Sequence, residues 1–319
     1  MTPLRLALLV LSALALAAGP AAAQPQQPAG RPPLPVVASI SILADMTREI
    51  GGDRVAVASL VGPGGDAHVY QPTPSDARAA AGAALVIVNG LGLEGWLPRL
   101  IEASGFKGRI ATATQGIVPL DAEDEAHGHG HREQRGSGNA GHPDADPHAW
   151  QDAANGAAYA RNIAAALADA DPADADFFRT RGDAYAAQLA ALDADLRRDF
   201  AAIPQEKRRV ITSHDAFRYF GRAYGIEFLA PVGVSTESEP SAGAVAALIR
   251  QMRREKIRAL FVETISDPRL VEQLAREAGA AVGPPLYSDS LAPPGQEAST
   301  YAGMLRYNAR ALAEGMRKN

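Results

Sequence analysis

Short apolar runs alternating with helical stretches, in two separate series, constrain this chain more than any other feature. In the first series Pro35–Ile40 (PVVASI), Val55–Val61 (VAVASLV), Leu85–Asn89 (LVIVN) and Arg109–Thr114 (RIATAT) read as strands. Ile42–Ile50, Ser75–Gly82 and Glu94–Ser104 read as the helices between them. In the second series Arg209–Ser213, Glu227–Val232, Ala259–Glu263 and Ala281–Tyr287 are the strands, and Asp215–Tyr224, Ala242–Glu255, Pro268–Ala278 and Ser299–Arg317 the helices. Strands that are apolar along their length belong in a parallel sheet covered on both faces. The pattern therefore predicts an α/β fold of two similar lobes, each a parallel sheet flanked by helices. A chain of 319 residues is also longer than one core usually organises.

An alanine-rich helical stretch separates the two series. Asn155–Ala170 reads as one helix; a second runs from about Ala173 to Ala202, opened by Pro172 and ended before Pro204. Phe177, Phe178, Tyr185, Leu189, Leu192, Leu196 and Phe200 fall on one face of it. Roughly 30 residues at a rise of 1.5 Å make a rod of about 45 Å, long enough to run along both lobes. The expected organisation is an N-terminal lobe at 35–171, a rigid bridging helix at 172–204 and a C-terminal lobe at 205–319. There is no residue-level repeat, so the duplication is one of architecture.

The N-terminus carries one early charge, Arg5, then an apolar run from Leu6 to Ala18, a Gly19-Pro20 break and three alanines ending at Ala23. This reads as a signal peptide over residues 1–23, cleaved after Ala23, followed by a disordered Pro- and Gln-rich linker at 24–34. The chain has no cysteine, which excludes thiolate metal sites and disulfides and leaves no residue for an N-terminal lipid thioether. The expectation is a monomer free in the periplasm. The net charge of −5 and the lack of basic stretches interleaved with aromatics speak against a nucleic-acid partner.

Four residues carry candidate chemistry. His68 lies in GPGGDAHVYQPTPSD, directly after a strand, where glycines let the backbone approach a ligand; Ser75 is placed to cap the next helix. His148 lies in DADPHAWQDAANG, entering a helix that Asp152 can cap. His214 ends the strand Arg209–Ser213, and Asp289, in LYSDSL, follows the last strand of the second lobe. Each alone suits a surface, capping or turn residue. Together they put two candidates in each lobe, at ends of elements that can face one crevice, where open α/β sheets bind ligands. Three imidazoles and a carboxylate suit Zn2+ in four-fold coordination, with Asp66 or Asp152 as carboxylates able to orient the histidines. The insert Asp121–Pro147 is low in complexity and contributes His127, His129, His131 and His142, a pattern that collects transition metals weakly.

GGDAHVYQPTPSD, DPHAWQD, TSHDAFRYFGRAYG and LYSDSL, in that order, resemble the four ligand motifs of the metal-specific solute-binding proteins of ABC importers, called cluster A-I or cluster 9. SILADM, GGDRV, NGLGLEGW and ETISDPRL are similar to connecting segments of that family. The resemblance covers nearly the whole chain after residue 34. It implies that His68, His148, His214 and Asp289 bind the metal, and that the partner is the permease of an importer, with a periplasmic zinc chaperone as a further partner. Manganese and iron members generally carry glutamate at the third position, so His214 implies zinc. The GVSTESEPSA run and the histidine-bearing insert look closest to the AztC-type zinc proteins.

Other readings are a manganese or iron carrier, a zinc buffer or adhesin without a transporter, and a zinc hydrolase. A catalytic zinc keeps a position open for water, whereas four protein donors close the sphere; the sequence also lacks HExxH and GxSxG. No enzymatic activity is expected.

Overall fold

The computed structural model describes residues 31–121, 145–237 and 240–319. The expected signal peptide and most of the expected linker lie outside these residues, as do His127, His129, His131 and His142. Leu34, assigned to the linker from sequence, is the first residue of strand β1.

The first lobe is built from β1 (Leu34–Ile40), α1 (Ser41–Gly51), β2 (Val55–Val61), α2 (Pro74–Ala81), β3 (Leu85–Val88), α3 (Leu97–Ser104) and β4 (Arg109–Thr112). Its four strands are parallel in the order β2-β1-β3-β4. The apolar runs explain the burial: Val36 to Ile40 and Leu85 to Val88 are covered on both faces. Helix α2 is capped by Thr73 rather than Ser75, because Pro74 already takes the first helical position and Asp76 returns the bond to the Thr73 backbone.

Two helices follow, α4 (Ala153–Ala170) and α5 (Ala175–Ala201). The buried face of α5 consists of Phe178, Gly182, Tyr185, Ala186, Leu189, Leu192, Leu196 and Phe200. Phe177 is only partly buried, flanked by the guanidinium groups of Arg54 and Arg181 at 5.0 and 5.6 Å from its ring centre. Small residues let α4 and α5 approach closely: a Cβ added at Gly182 would sit 2.3 Å from the Ala164 Cβ. Gly182→Val is therefore expected to destabilise the protein by about 2–3 kcal/mol through overpacking, read as a lowered denaturant midpoint at unchanged m-value. An unchanged midpoint would mean that the helices separate without cost.

The second lobe holds β5 (Arg209–Ile211), α6 (Arg218–Tyr224), β6 (Glu227–Leu229), α7 (Ala242–Glu255), α8 (Arg269–Ala278) and α9 (Tyr301–Met316). Among its described residues, β5 and β6 alone form a continuous ladder. The runs expected as the third and fourth strands are present as isolated parallel bridges, Ile211 to Leu260, Leu260 to Val282 and Glu263 to Leu286. Pro284 and Pro285 have no N–H to donate, so the ladder breaks between the bonds from Gly283 to Leu260 (2.7 Å) and Leu286 to Val262 (2.9 Å). The segment order is nevertheless that of the first sheet. One apolar core runs from Val36 to Met316 through both lobes, with α4, α5 and α9 in it; a smaller cluster, including Leu248, Met252, Val271 and Leu274, lies under α7 and α8. Among the described residues no helix is long and apolar enough to cross a membrane.

Candidate metal centre

Each candidate side chain is fixed by its own segment. Beyond β2, Gly62 and Gly65 close a turn (3.1 Å), with Gly64 at φ +74°, where a side chain would be strained. Asp66 then accepts the His68 backbone N–H at 2.9 Å, and the Trp96 indole N–H holds the Ala67 carbonyl at 2.8 Å. His148 leaves a similar turn: Asp146 accepts both its backbone N–H (2.9 Å) and its ring Nδ1 (2.8 Å). The buried Asn89 amide donates to the Pro147 carbonyl at 3.0 Å. His214 follows β5, its backbone N–H donating to Glu263 Oε1 at 2.9 Å. Asp289 is placed through its neighbour, because the Trp150 indole and the Gln151 amide both donate to the Ser288 carbonyl, at 2.9 and 2.8 Å. The stretch that carries His148 therefore also grips the one that carries Asp289.

These anchors bring all four side chains together: one donor atom from each of His68, His148, His214 and Asp289 lies within 4.8 Å of the others. The His68 and His148 Nε2 atoms are 3.2 Å apart. Asp289 oxygens stand 3.4 Å from His68 Nε2, 3.5 Å from His148 Nε2 and 3.7 Å from His214 Nε2. Bonds of about 2.0–2.1 Å around a tetrahedral ion put its donors about 3.3 Å apart, so the spacing suits such an ion. The side chains of His148, His214 and Asp289 are at most 1% exposed and that of His68 is 6% exposed. Both Asp289 carboxylate oxygens and His214 Nε2 are buried without a hydrogen-bond partner. Buried polar atoms left unpaired are costly, and a cation among them would satisfy all three.

The electrostatics are those of a negatively charged cage. Burial disfavours charge on His148, but Asp289 and Asp146 outweigh it and push its imidazole up to about 10. Burial likewise opposes the His214 cation, and Glu263 and Asp289 reverse the balance upward. Burial acts to raise Asp289, yet His148 and His214 hold it well below the usual carboxylate range. Glu263 Oε2 stands 2.5 Å from His214 Nδ1 at an angle outside good hydrogen-bond geometry, a charge contact more than a directed bond. A carboxylate behind the distal nitrogen leaves Nε2 as the donor facing the cluster and strengthens it.

Of the two carboxylates named from sequence, Asp152 takes the capping place also expected of it, accepting from the Ala154 N–H at the start of α4, and Asp66 orients His68 through the backbone. Asp146 and Glu263 contact the rings instead. Asp146 was signalled only by its place two residues before His148, and Glu263 by ending an expected strand.

A family model described as zinc-uptake complex component A, periplasmic, matches residues 36–315. The chain is similar to the manganese ABC transporter substrate-binding lipoprotein PsaA of Streptococcus pneumoniae, with 33% identity over 291 residues and 89% of each chain covered. It is similar to the metal ABC transporter substrate-binding lipoprotein ScbA of Streptococcus cristatus, with 32% identity and 91% of each chain covered. Among solved structures, the periplasmic zinc binding protein TroA from Treponema pallidum superposes with a TM-score of 0.79 at 30% identity, covering 89% of this chain and 99% of that one. These names correct one expectation. The apolar leader and the absence of cysteine point to a free periplasmic protein, but both streptococcal relatives are named lipoproteins, so the unanchored location is not retained.

Proposed function

Because the chain belongs to the zinc-uptake component A family, the metal-binding substrate-binding proteins of ABC transporters and not enzymes, we propose that its cargo is zinc, held by His68, His148, His214 and Asp289 and delivered to the permease of a zinc importer. The observation that carries this reading is the buried cluster of three imidazoles and one carboxylate, with Asp289 and His214 atoms left unpaired. Imidazole-rich donor sets favour zinc, whereas harder ions such as manganese favour carboxylate and water. An ion here would join the His68 and His148 segments to those of His214 and Asp289, and the apolar core shared by both lobes limits the accompanying motion to small adjustments. The AztC-type assignment and a zinc chaperone as donor belong to the same reading, with His127, His129, His131 and His142 as a weak collecting arm.

Manganese is the second reading, favoured by the name of the pneumococcal relative. The test is metal content and competition on the full chain and on a variant lacking His127–Gly141. Zinc is expected at one tightly held equivalent in both, resistant to a large excess of manganese and lost in His214→Ala. Displacement by manganese would transfer the assignment to that ion; zinc retained only when the insert is present would remove the buried cluster from the function.

A further inference from the structure

The segment Val234–Glu237 reaches from the second lobe to the first beside the cluster. Thr236 Oγ donates to Asp66 Oδ2 at 2.7 Å, across 170 residues of sequence. The other oxygen of the same carboxylate accepts the His68 backbone N–H at 2.9 Å. One carboxylate thus joins the chain of His68 to a loop of the opposite lobe. A cavity of about 540 Å³, bordered by Asp66 and Thr236, reaches His214. A second, of about 160 Å³, reaches His68 and is bordered by Val234, Ser235 and Glu237. His68 is the most exposed of the four side chains, and among the described residues its ring has no carboxylate beside it other than Asp289, whereas His148 and His214 have Asp146 and Glu263 as well.

Resting on the metal-site reading above, we propose that Asp66 and Thr236 form a latch that positions His68 and sets the rate at which the ion leaves. The segments of all four donors have a buried anchor, which for His68 is the Trp96 indole on the Ala67 carbonyl, but the backbone N–H of His68 itself is held by a carboxylate that reaches the opposite lobe. Breaking the hydrogen bond frees the Val234–Glu237 segment from the His68 loop, so that His68 withdraws before the other three donors. Asp66 and Thr236 are positioning residues: they act on the metal through His68 and the loop beside it.

The experiment is zinc release from the full chain, desalted to its retained equivalent and followed with a colorimetric chelator. Thr236→Val removes the hydroxyl at nearly constant volume and is expected to speed release about tenfold, the effect of one hydrogen bond. One bound zinc should remain, and Thr236→Ser, which keeps the donor, should behave as the parent. Asp66→Asn should speed release similarly, and the double variant should be no faster than the quicker single one, because both remove one interaction. Release from Thr236→Val at the parent rate, or from Thr236→Ser as fast as from Thr236→Val, would overturn the latch while leaving the metal site intact. A parent chain that retains no zinc would overturn the site, and the latch with it.

Discussion

Asp289→Asn is expected to weaken zinc binding by between about a hundredfold and a thousandfold, the scale set by leaving buried charges without their partner. Asp289 is the only anion among the four donors, and its oxygens lie 3.4–3.7 Å from the three imidazoles. An amide keeps the shape but supplies no charge to offset the dication. The backbone grip on this segment, from Trp150 and Gln151 to the Ser288 carbonyl, does not involve the substituted side chain. The variant should therefore fold, with a lower metal-free melting temperature because Asp289 also pairs with His148 and His214, and its loss of affinity should appear in chelator competition at a temperature where the metal-free variant is folded. Affinity within threefold of the parent would remove Asp289 from the binding set.

Zinc affinity is expected to rise steeply with pH. His148 is pushed up to about 10 and His214 is raised above its ordinary value of 6.5, so in the metal-free protein His148 holds a proton at neutrality and His214 holds one at mildly acid pH. Zinc requires both imidazoles neutral and must displace those protons. Each displaced proton strengthens apparent binding about tenfold per pH unit, so one to two protons give roughly ten- to hundredfold per unit below neutrality. Calorimetry in buffers of different ionisation heat should count them, and affinity independent of pH between 5.5 and 7 would contradict the picture. The metal-free fold responds in the opposite sense. A raised imidazole contributes stability fully present below 6.5 and lost as the pH climbs through the folded value, which for His148 is about 10. Depressed Asp289 contributes above 3.8 and loses that contribution as the pH falls. The metal-free protein should accordingly melt lower at pH 9.5 than at pH 7, and bound zinc should diminish that loss.

The four candidate residues were legible because each ends a recognisable element within a short motif. The first sheet was legible because VVASI and LVIV are apolar along their length and can only lie between two layers. The second sheet was less so. AVGPPLY reads as strand by composition, yet its two prolines interrupt the ladder, and the consequence depends on which N–H groups face a neighbour. The partners of the histidine rings were hidden for a related reason. Glu263 is 49 residues from His214, and only the fold shows that Asp146, and not Asp152, lies behind His148. Trp150 hinted at packing, but that its indole secures the opposite lobe at Ser288 is a fact of three dimensions.

The anchoring of the donors has a consequence for how such a protein can change. His68 hangs on a glycine turn, His148 on Asp146, His214 on Glu263 and Asp289 on a gripped carbonyl, while the apolar core that unites the lobes lies beneath all four. The His148 and Asp289 segments share one anchor, at the Ser288 carbonyl, whereas the His68 and His214 segments are each held by contacts of their own. One segment can accept a different side chain, and so a different cargo, without the rest being refolded. Relatives on one architecture can then carry names of different metals, as those of manganese and zinc do here. Cargo becomes a local variable of the scaffold, open to revision one loop at a time.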